Sequence, residues 1–365
     1  VTNLALVHDW LNQLGGAEDV LIELNRMFPR EPIFTSIYDR ERMPTSWRNW
    51  DIRSTWLDRL PMIHRRHQPF MPLFAQVWAS YTIPREHDVI LSNKSAFCIG
   101  ARALNPNAKH ICYCLTPTRF TYEFDNYREQ ESIPAASIGI LNAMNANLRK
   151  WETKVAQNVT EFIAISTEVR QRIKKFYGRE SRIIFPPVNV NVQSNDEDTS
   201  DFYLIVSRLL PYKRIDLAIE AFGKLKLPLV IAGDGRDRAR LERVASKFAN
   251  VKLMGRVDEK TLHDLLARCK AFVFPGYEDF GIAPVRAMAY GKPVIAFAKG
   301  GALDTVIDGE SGILFYSQTR DALIEATRKF SEVTFAPVAI RRHAAKFGIE
   351  RFAQEIRDVL AKYSA

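Results

Sequence analysis

Long apolar runs are missing from this sequence of 365 residues. The longest, such as Leu227–Ala232 with its internal Pro228 and Ala271–Pro275, are strand-sized, far short of the roughly 18–20 residues that span a bilayer. Val1–Val7 is apolar but too short for the core of a secretion signal, and His8-Asp9 follows at once, so a cytoplasmic chain is expected. Cysteine is scarce: Cys98, Cys112, Cys114 and Cys269 are the only four. That is too few for a disulfide scaffold, and the spacing offers no paired zinc ligands. Cys112 and Cys114 lie two apart in an apolar run and share a face if that run is a strand, so buried free thiols in a reducing compartment are the expectation. Nucleotide-binding fingerprints are absent too. Gly233-Asp234-Gly235 follows an apolar run but lacks the third glycine of G-x-G-x-x-G, and Leu14-Gly15-Gly16 lacks the spacing altogether. With no P-loop either, hydride transfer and ATP hydrolysis lose ground. No Ser–His–Asp grouping and no metal-ligand cluster is recognisable by spacing.

What is present is an ordinary globular composition, 47% hydrophobic and 25% charged, which excludes a disordered or collagen-like chain. The length predicts two domains, at roughly 150 residues each. Basic residues number 51 and acidic 42, a net charge of +9. Such a surplus bears on partners rather than fold, and a phosphate-bearing substrate, an anionic membrane surface or nucleic acid would each suit it. The basic residues are dispersed rather than interleaved with aromatics, and no nucleic-acid module is recognisable, so no nucleic-acid partner is expected.

Along the chain, strand-like and helix-like segments alternate. Leu4–His8, Pro32–Tyr38, Val89–Ser92, His110–Cys114 and Phe162–Ser166 are short apolar runs, and Ala17–Met27 after Gly15-Gly16 has helical spacing. Pro186-Pro187 and the polar, acidic stretch up to Ser200 mark a linker over 188–200. The alternation then restarts: Phe202–Val206, Pro228–Ala232, Val251–Met254, Ala271–Phe274 and Pro293–Phe297 read as strands, and Ile215–Leu225, Arg238–Phe248, Glu259–Cys269 and Ala283–Tyr290 as helices. Near-continuous apolar strands alternating with helices predict an α/β fold with parallel sheets covered on both faces. Two doubly wound domains, 1–187 and 201 onward, would leave a ligand cleft at the carboxyl ends of both sets of strands. Arg59–Phe74 departs from the pattern. Its arginines, three prolines and apolar residues read either as a membrane-surface or lipid-acceptor patch or as a loop and short helix packed on their own domain.

Three strand ends in the second half carry the chemistry. Ser207-Arg208 and Lys213 follow the first strand there, where a helix amino end adds partial positive charge; a diphosphate is the natural ligand, and a solvated basic turn the plainer alternative. Glu278-Asp279-Phe280-Gly281-Ile282-Ala283-Pro284 follows Ala271–Pro275. It offers a carboxylate, a glycine that lets backbone approach closely, and a helix start with proline in its first turn. Lys299-Gly300-Gly301 forms a third turn.

These residues, in this order, resemble the retaining glycosyltransferases of family four, which have the B-type fold (GT-B): two facing Rossmann-like, doubly wound domains with an interdomain cleft. The likeness covers nearly the whole chain, from His8-Asp9-Trp10-Leu11 and Gly15-Gly16-Ala17-Glu18, through Cys112–Arg119, Pro186-Pro187-Val188, Ser207-Arg208 with Lys213 and Gly255-Arg256-Val257, to Glu278–Gly291 and Gly300-Gly301. The branch looks most like bacterial mannosyltransferases of exopolysaccharide or O-antigen synthesis. The resemblance implies that Arg208 and Lys213 neutralise the donor diphosphate and that Glu278 binds donor-sugar hydroxyls. The backbone near Phe280, Gly281, Ile282 and Ala283 would hold the sugar and distal phosphate, and Gly255, Arg256 and Val257 would lie near the base. Gly15-Gly16 would approach the phosphates and acceptor, with His8, Asp9, Thr116 and Arg119 as acceptor-loop candidates. A last helix within 346–365, after a donor domain of 201–345, would cross back to the first domain. No divalent metal or other cofactor is expected. The donor would be a GDP- or UDP-linked sugar, mannose favoured, and the acceptor lipid-linked or saccharide, at the inner face of the cytoplasmic membrane. Two positions depart from the family pattern. Arg286 stands where relatives carry a second glutamate that grips the ribose, and Leu115 where many carry a histidine. With Arg286 a carboxylate acceptor becomes a cationic donor; it could pair with a phosphate, with Glu278 or with Asp279. His8 and His110 are stand-ins for the missing histidine, though a core or surface role is the plainer reading of each. The alternative function is a catalytically impaired member that binds sugar or nucleotide and supports a partner.

Overall fold

The structure, a computed structural model, describes residues 3–65, 70–122, 138–193 and 199–363. Two units divide it, one of Val1–Pro187 with Phe352–Ala365 and one of Val188–Arg351. Residues 194–198 of the expected linker and Arg66–Pro69 of the Arg59–Phe74 segment lie outside the described residues.

The strands of the first unit are β1 (Leu4–His8), β2 (Ile33–Thr35), β3 (Ile52–Ser54), β4 (Thr82–Ile83), β5 (Val89–Lys94), β6 (Arg102–Ala103), β7 (Lys109–Cys114), β8 (Glu161–Ala164) and β9 (Ser181–Ile183). Seven form one parallel sheet in the order β3-β2-β1-β5-β7-β8-β9, and β4 pairs with β6 apart from it. The second unit holds β10 (Tyr203–Val206), β11 (Leu229–Ala232), β12 (Val251–Gly255), β13 (Ala271–Phe274), β14 (Val294–Phe297) and β15 (Gly312–Phe315), all parallel, in the order β12-β11-β10-β13-β14-β15. Counting the strands of the second sheet along the chain gives 3-2-1-4-5-6, the Rossmann order, and the first sheet follows it with one strand added. Each sheet therefore reverses its winding once, between β1 and β5 and between β10 and β13. Loops leaving those strands diverge there and open a crevice beyond the strand ends.

Strand limits follow from backbone chemistry. The sequence predicts strands beginning at Pro32, Pro228 and Pro293, but each starts one residue later. Proline has no N–H for the ladder. Its carbonyl remains usable, and the N–H groups of Leu6, Tyr203 and Phe272 donate to those three carbonyls at 2.8–3.0 Å. The helix Ile215–Leu225 buries Ile215, Ala218, Ile219 and Phe222, an i, i+3, i+4, i+7 stripe. They pack with Tyr203, Ile205 and Ile231 into the core of the second unit. In the first unit, Ile63 and Phe74 are fully buried, and Leu60, Phe70, Met71 and Leu73 pack against the same core. The apolar half of the Arg59–Phe74 segment is thus directed inward, with Met62 exposed. The terminal helix Ile349–Ala361 buries Phe352, Ile356, Val359 and Leu360. The Phe352 ring lies edge-on to that of Tyr113, centroids 5.6 Å apart, and the Tyr363 hydroxyl donates to Glu161 at 2.9 Å. All four cysteines are buried and free.

Candidate active site

The turn after β10 is tied to its neighbours by backbone. Ser207 N–H donates to Ala232 O at 3.1 Å and Leu209 N–H to Asp234 O at 2.9 Å, while Ser207 Oγ donates to the Arg208 carbonyl. Residues Pro211–Lys213 make one tight helical turn, and Arg214, with φ 51°, redirects the chain into the helix that follows. The two cations of this turn differ in state. Arg208 is exposed, and among the described residues its guanidinium has no hydrogen-bond or ion-pair partner. Lys213 is 8% exposed. Its ammonium pairs with the Glu278 carboxylate and lies 5.0 Å from the centre of the Tyr212 ring.

Glu278 reaches Lys213 because three turns are pressed together at the strand ends. A Cβ on Gly276 would lie 3.1 Å from Lys213 Cα, so any larger residue would push the turn after β13 a few tenths of an ångström off the turn after β10. Gly300, with φ +65°, faces Glu278 across an isolated parallel bridge, and a Cβ there would lie 2.2 Å from Glu278 O. Gly301 N–H donates to the same carbonyl at 2.9 Å. Asp279 is half-buried, and Phe280 is buried against Phe347, ring centres 5.7 Å apart. Gly281 (φ +96°) opens the helix Ile282–Ala289, whose first N–H groups have no partner within the helix. The second unit thus assembles an exposed guanidinium, a shielded ammonium–carboxylate pair and helix-end amides. That set suits a diphosphate joined to a polyol: cations and amides for the phosphates, a carboxylate for hydroxyls.

On the far side of β10, Gly255 closes β12, and its carbonyl accepts from Gly233 N–H at 2.7 Å. Arg256 is exposed and Val257 half-buried. Asp258 caps the helix Glu259–Arg268. Arg286 pairs at 3.1 Å with Glu259, a carboxylate the sequence did not single out, and not with Glu278.

In the first unit, Gly15 precedes the helix Gly16–Met27 and Gly16 is exposed. His8 is buried. Its Nδ1 lies 3.2 Å from the Asn93 amide nitrogen, which also donates to Ala17 O at 2.7 Å. That assigns the ring proton to Nε2, 3.4 Å from Glu18 Oε1. Both ring nitrogens are therefore occupied in steadying the Gly15–Glu18 turn. Asp9 is completely buried. Its carboxylate accepts from the N–H groups of Ser95, Ala96, Phe97 and Cys98 at 2.6–2.7 Å and from Ser95 Oγ at 3.0 Å. Five donors fill its lone pairs, so Asp9 anchors the loop after β5 across the β1/β5 reversal. Thr116 is nearly buried and accepts from Arg172 Nη1 at 3.4 Å, and Arg119, half-buried, starts the short helix Arg119–Tyr122. Leu115 is 9% exposed. His110 points away from these loops, its Nε2 2.9 Å from Ser92 Oγ.

Sequence reading missed the network that holds the 115–119 loop. Lys94, at the end of β5, is wholly buried. Its ammonium donates to Glu152 Oε1 at 2.7 Å, Thr116 O at 2.8 Å and the Tyr177 hydroxyl at 3.0 Å. Thr118 and Tyr177 hydroxyls also donate to Glu152 Oε1. Burial opposes the charge on Lys94, but Glu152 together with the nearby Cys114 and Cys112 outweighs it and holds the pKa above the ordinary lysine value. The one available signal was a lysine at the end of a strand that opens on the apolar run Val89–Leu91.

Residues 189–347 match the family of glycosyl transferases group 1. Over 99% of this chain and 98% of its own length, the alpha-1,3/1,6-mannosyltransferase ALG2 of Dictyostelium discoideum is 24% identical. A GDP-mannose-dependent monoacylated alpha-(1-6)-phosphatidylinositol monomannoside mannosyltransferase of Corynebacterium glutamicum is 32% identical over 35% of this chain and 37% of its own. Among solved structures, Anabaena HepE in complex with UDP and glucose superposes with a TM-score of 0.70 at 17% identity, over 99% of this chain and 100% of that one.

Proposed function

We propose that the chain, whose residues 189–347 match the group 1 glycosyl transferases and which has the GT-B fold, is a retaining, metal-independent hexosyltransferase of that family. It takes mannose from GDP-mannose and delivers it to a lipid-linked or saccharide acceptor of cell-surface polysaccharide synthesis, at the inner face of the cytoplasmic membrane. The observation that carries this reading is an exposed Arg208, without a partner among the described residues, and the Lys213–Glu278 pair on the turns at the β10/β13 reversal. The two mannosyltransferase relatives support mannose, and the second supports a guanosine donor.

Cleaving a sugar–phosphate bond leaves negative charge on the departing phosphate and positive charge on the anomeric carbon. Fixed cations act where that charge develops. Arg208, free of an acid partner, meets the diphosphate first, and Lys213 exchanges part of its interaction with Glu278 for a phosphate oxygen. Glu278, so released, accepts sugar hydroxyls. The amides from Phe280 to Ala283 hold the sugar and distal phosphate, and Gly255–Val257 border the base. The acceptor hydroxyl attacks on the face from which phosphate departs, and a leaving phosphate oxygen takes its proton, so no enzymic nucleophile is assigned. In the first unit, Thr116 and Arg119 are the acceptor-side candidates.

The test is calorimetric titration of GDP, GDP-mannose and UDP without added metal, paired with transfer from labelled donor. Micromolar binding of GDP and GDP-mannose, with weaker UDP binding, is expected. UDP binding alone would transfer the proposal to a UDP-sugar, and no binding by any of them would end it. Arg208→Ala and Lys213→Ala should each lower kcat/KM by on the order of 100-fold, the scale of a lost electrostatic donor; full activity in both would remove the diphosphate from these turns.

A further inference from the structure

The first unit contains a pocket that the donor chemistry does not use. It lies along the connection from β2 to β3, has a volume of about 270 Å³, and is lined by Tyr38, Arg40, Glu41, Trp47, Arg48 and Trp50. Trp47 and Trp50 stack at 4.5 Å with an interplanar angle of 16°. Trp47 is buried and Trp50 half-buried, so Trp50 forms the partly open wall. Arg40 and Arg48 are exposed, and among the described residues neither guanidinium has an ion-pair or hydrogen-bond partner. The adjacent acid, Asp39, is engaged by Arg42 at 3.5 Å. Tyr38 is 7% exposed, and its hydroxyl is buried with no hydrogen-bond partner. Burial raises that hydroxyl's pKa, and the charges of Arg40 and Arg48, which both reach it, act in the opposite sense. A buried hydroxyl left unsatisfied is costly, and Arg40, whose guanidinium lies 5.8 Å from the centre of the Tyr38 ring, and Arg48 bring two positive charges to one pocket.

We propose that this pocket is a binding site for a phosphorylated saccharide, with Arg40 and Arg48 on the phosphate and one sugar ring against Trp50. Guanidinium forks match phosphate oxygens in pairs. The indole supplies apolar area for the carbon-bound face of a sugar, and the Glu41 carboxylate supplies an acceptor for a hydroxyl. A phosphate oxygen at the pocket floor gives the Tyr38 hydroxyl its missing partner. The volume lies just under the roughly 300–1,000 Å³ of most small-molecule pockets, which limits the occupant to about one ring with its phosphate. The proposal does not depend on the transfer reaction, because the donor turns belong to the other unit.

The experiment uses the full chain with Arg208→Ala and Lys213→Ala, so that phosphate binding at the donor turns is suppressed. A hexose 1-phosphate, inorganic phosphate and the unphosphorylated hexose are titrated by calorimetry, followed by a lipid diphosphate-linked hexose in detergent micelles. The hexose phosphate should bind, the hexose should not, and inorganic phosphate should compete. Adding Arg40→Gln and Arg48→Gln should weaken binding at least tenfold with the melting temperature unchanged, and Arg48→Lys should fall between, since it keeps the charge but not the fork. Binding of the lipid-linked hexose alone would assign the same pocket to a lipid-borne phosphate. Equal affinity with and without the two arginines, or no binding of either phosphorylated saccharide, overturns the proposal.

Discussion

His110 shows how a single buried side chain sets a pH limit. Burial lowers its pKa from 6.5 to about 4. The unfolded chain takes up this proton as pH falls through 6.5, and the folded chain does not until about 4. Stability from this group is therefore full above pH 6.5 and is lost between there and pH 4, by on the order of 3 kcal/mol. In His110→Gln the fall of melting temperature across that window should be visibly shallower than in the parent; identical slopes would assign the acid sensitivity elsewhere. Arg286 makes a different residue-scale prediction. Its guanidinium is engaged by Glu259, so in the proposed donor site it offers the ribose no acceptor. Arg286→Glu should tighten nucleotide binding severalfold, and Arg286→Glu with Glu259→Gln further, because two adjacent carboxylates repel. Weaker binding in both would place the guanidinium on a phosphate.

Among the elements, the loop 115–119 depends on the charge buried at the end of β5. Lys94→Met leaves Glu152 charged and unpaired in the interior, and breaking such a pair costs about 3–5 kcal/mol. Lys94→Met with Glu152→Leu should recover much of that, which denaturant unfolding can measure. A double variant no more stable than the single would show that the hydrogen bonds to Thr116 and Tyr177, rather than the charge pair, hold the loop. This network also shows where sequence reading stops. The buried strands of both sheets were legible because each carries a continuous apolar run of three or four residues, as in β5, β10 and β13. The edge strand β3, only three residues long with an exposed arginine at the centre, carries no such run, and β15 was passed over beyond the last glycine turn. Arg208, Lys213 and Glu278 were legible because they fall directly after strong strands. Lys94 and Glu152 were not, since they stand 58 positions apart. Asp9 was read as an acceptor-loop residue from its place after β1, and nothing local reveals that it is saturated by amides 86 to 89 positions away.

At the scale of the whole molecule, the same winding occurs twice, and the chain enters the second unit after Pro187 and leaves it after Arg351. The returning helix contributes Phe352, Ile356 and Val359, all completely buried. Each large apolar side chain kept from water contributes roughly 1.5–3 kcal/mol, so together they rival the entire stability of an ordinary domain. A chain ending at Arg351 should lose the first unit's cooperative unfolding transition and leave it open to proteolysis, while 188–351 stays protected. A truncated protein whose first unit still melts cooperatively would make that helix dispensable. The return also fixes an order of events during synthesis. The strands of the first unit leave the ribosome before the second unit begins, yet its closing helix is made only after the second unit is complete. The second unit, one uninterrupted stretch, can close while the first still lacks a wall over Tyr113. For as long as translation of the intervening 164 residues, Val188–Arg351, takes, the nascent chain presents an unfinished apolar face. Slow elongation across that stretch, or a chaperone that shields the face, would govern the yield of folded protein more than the stability of the finished product does.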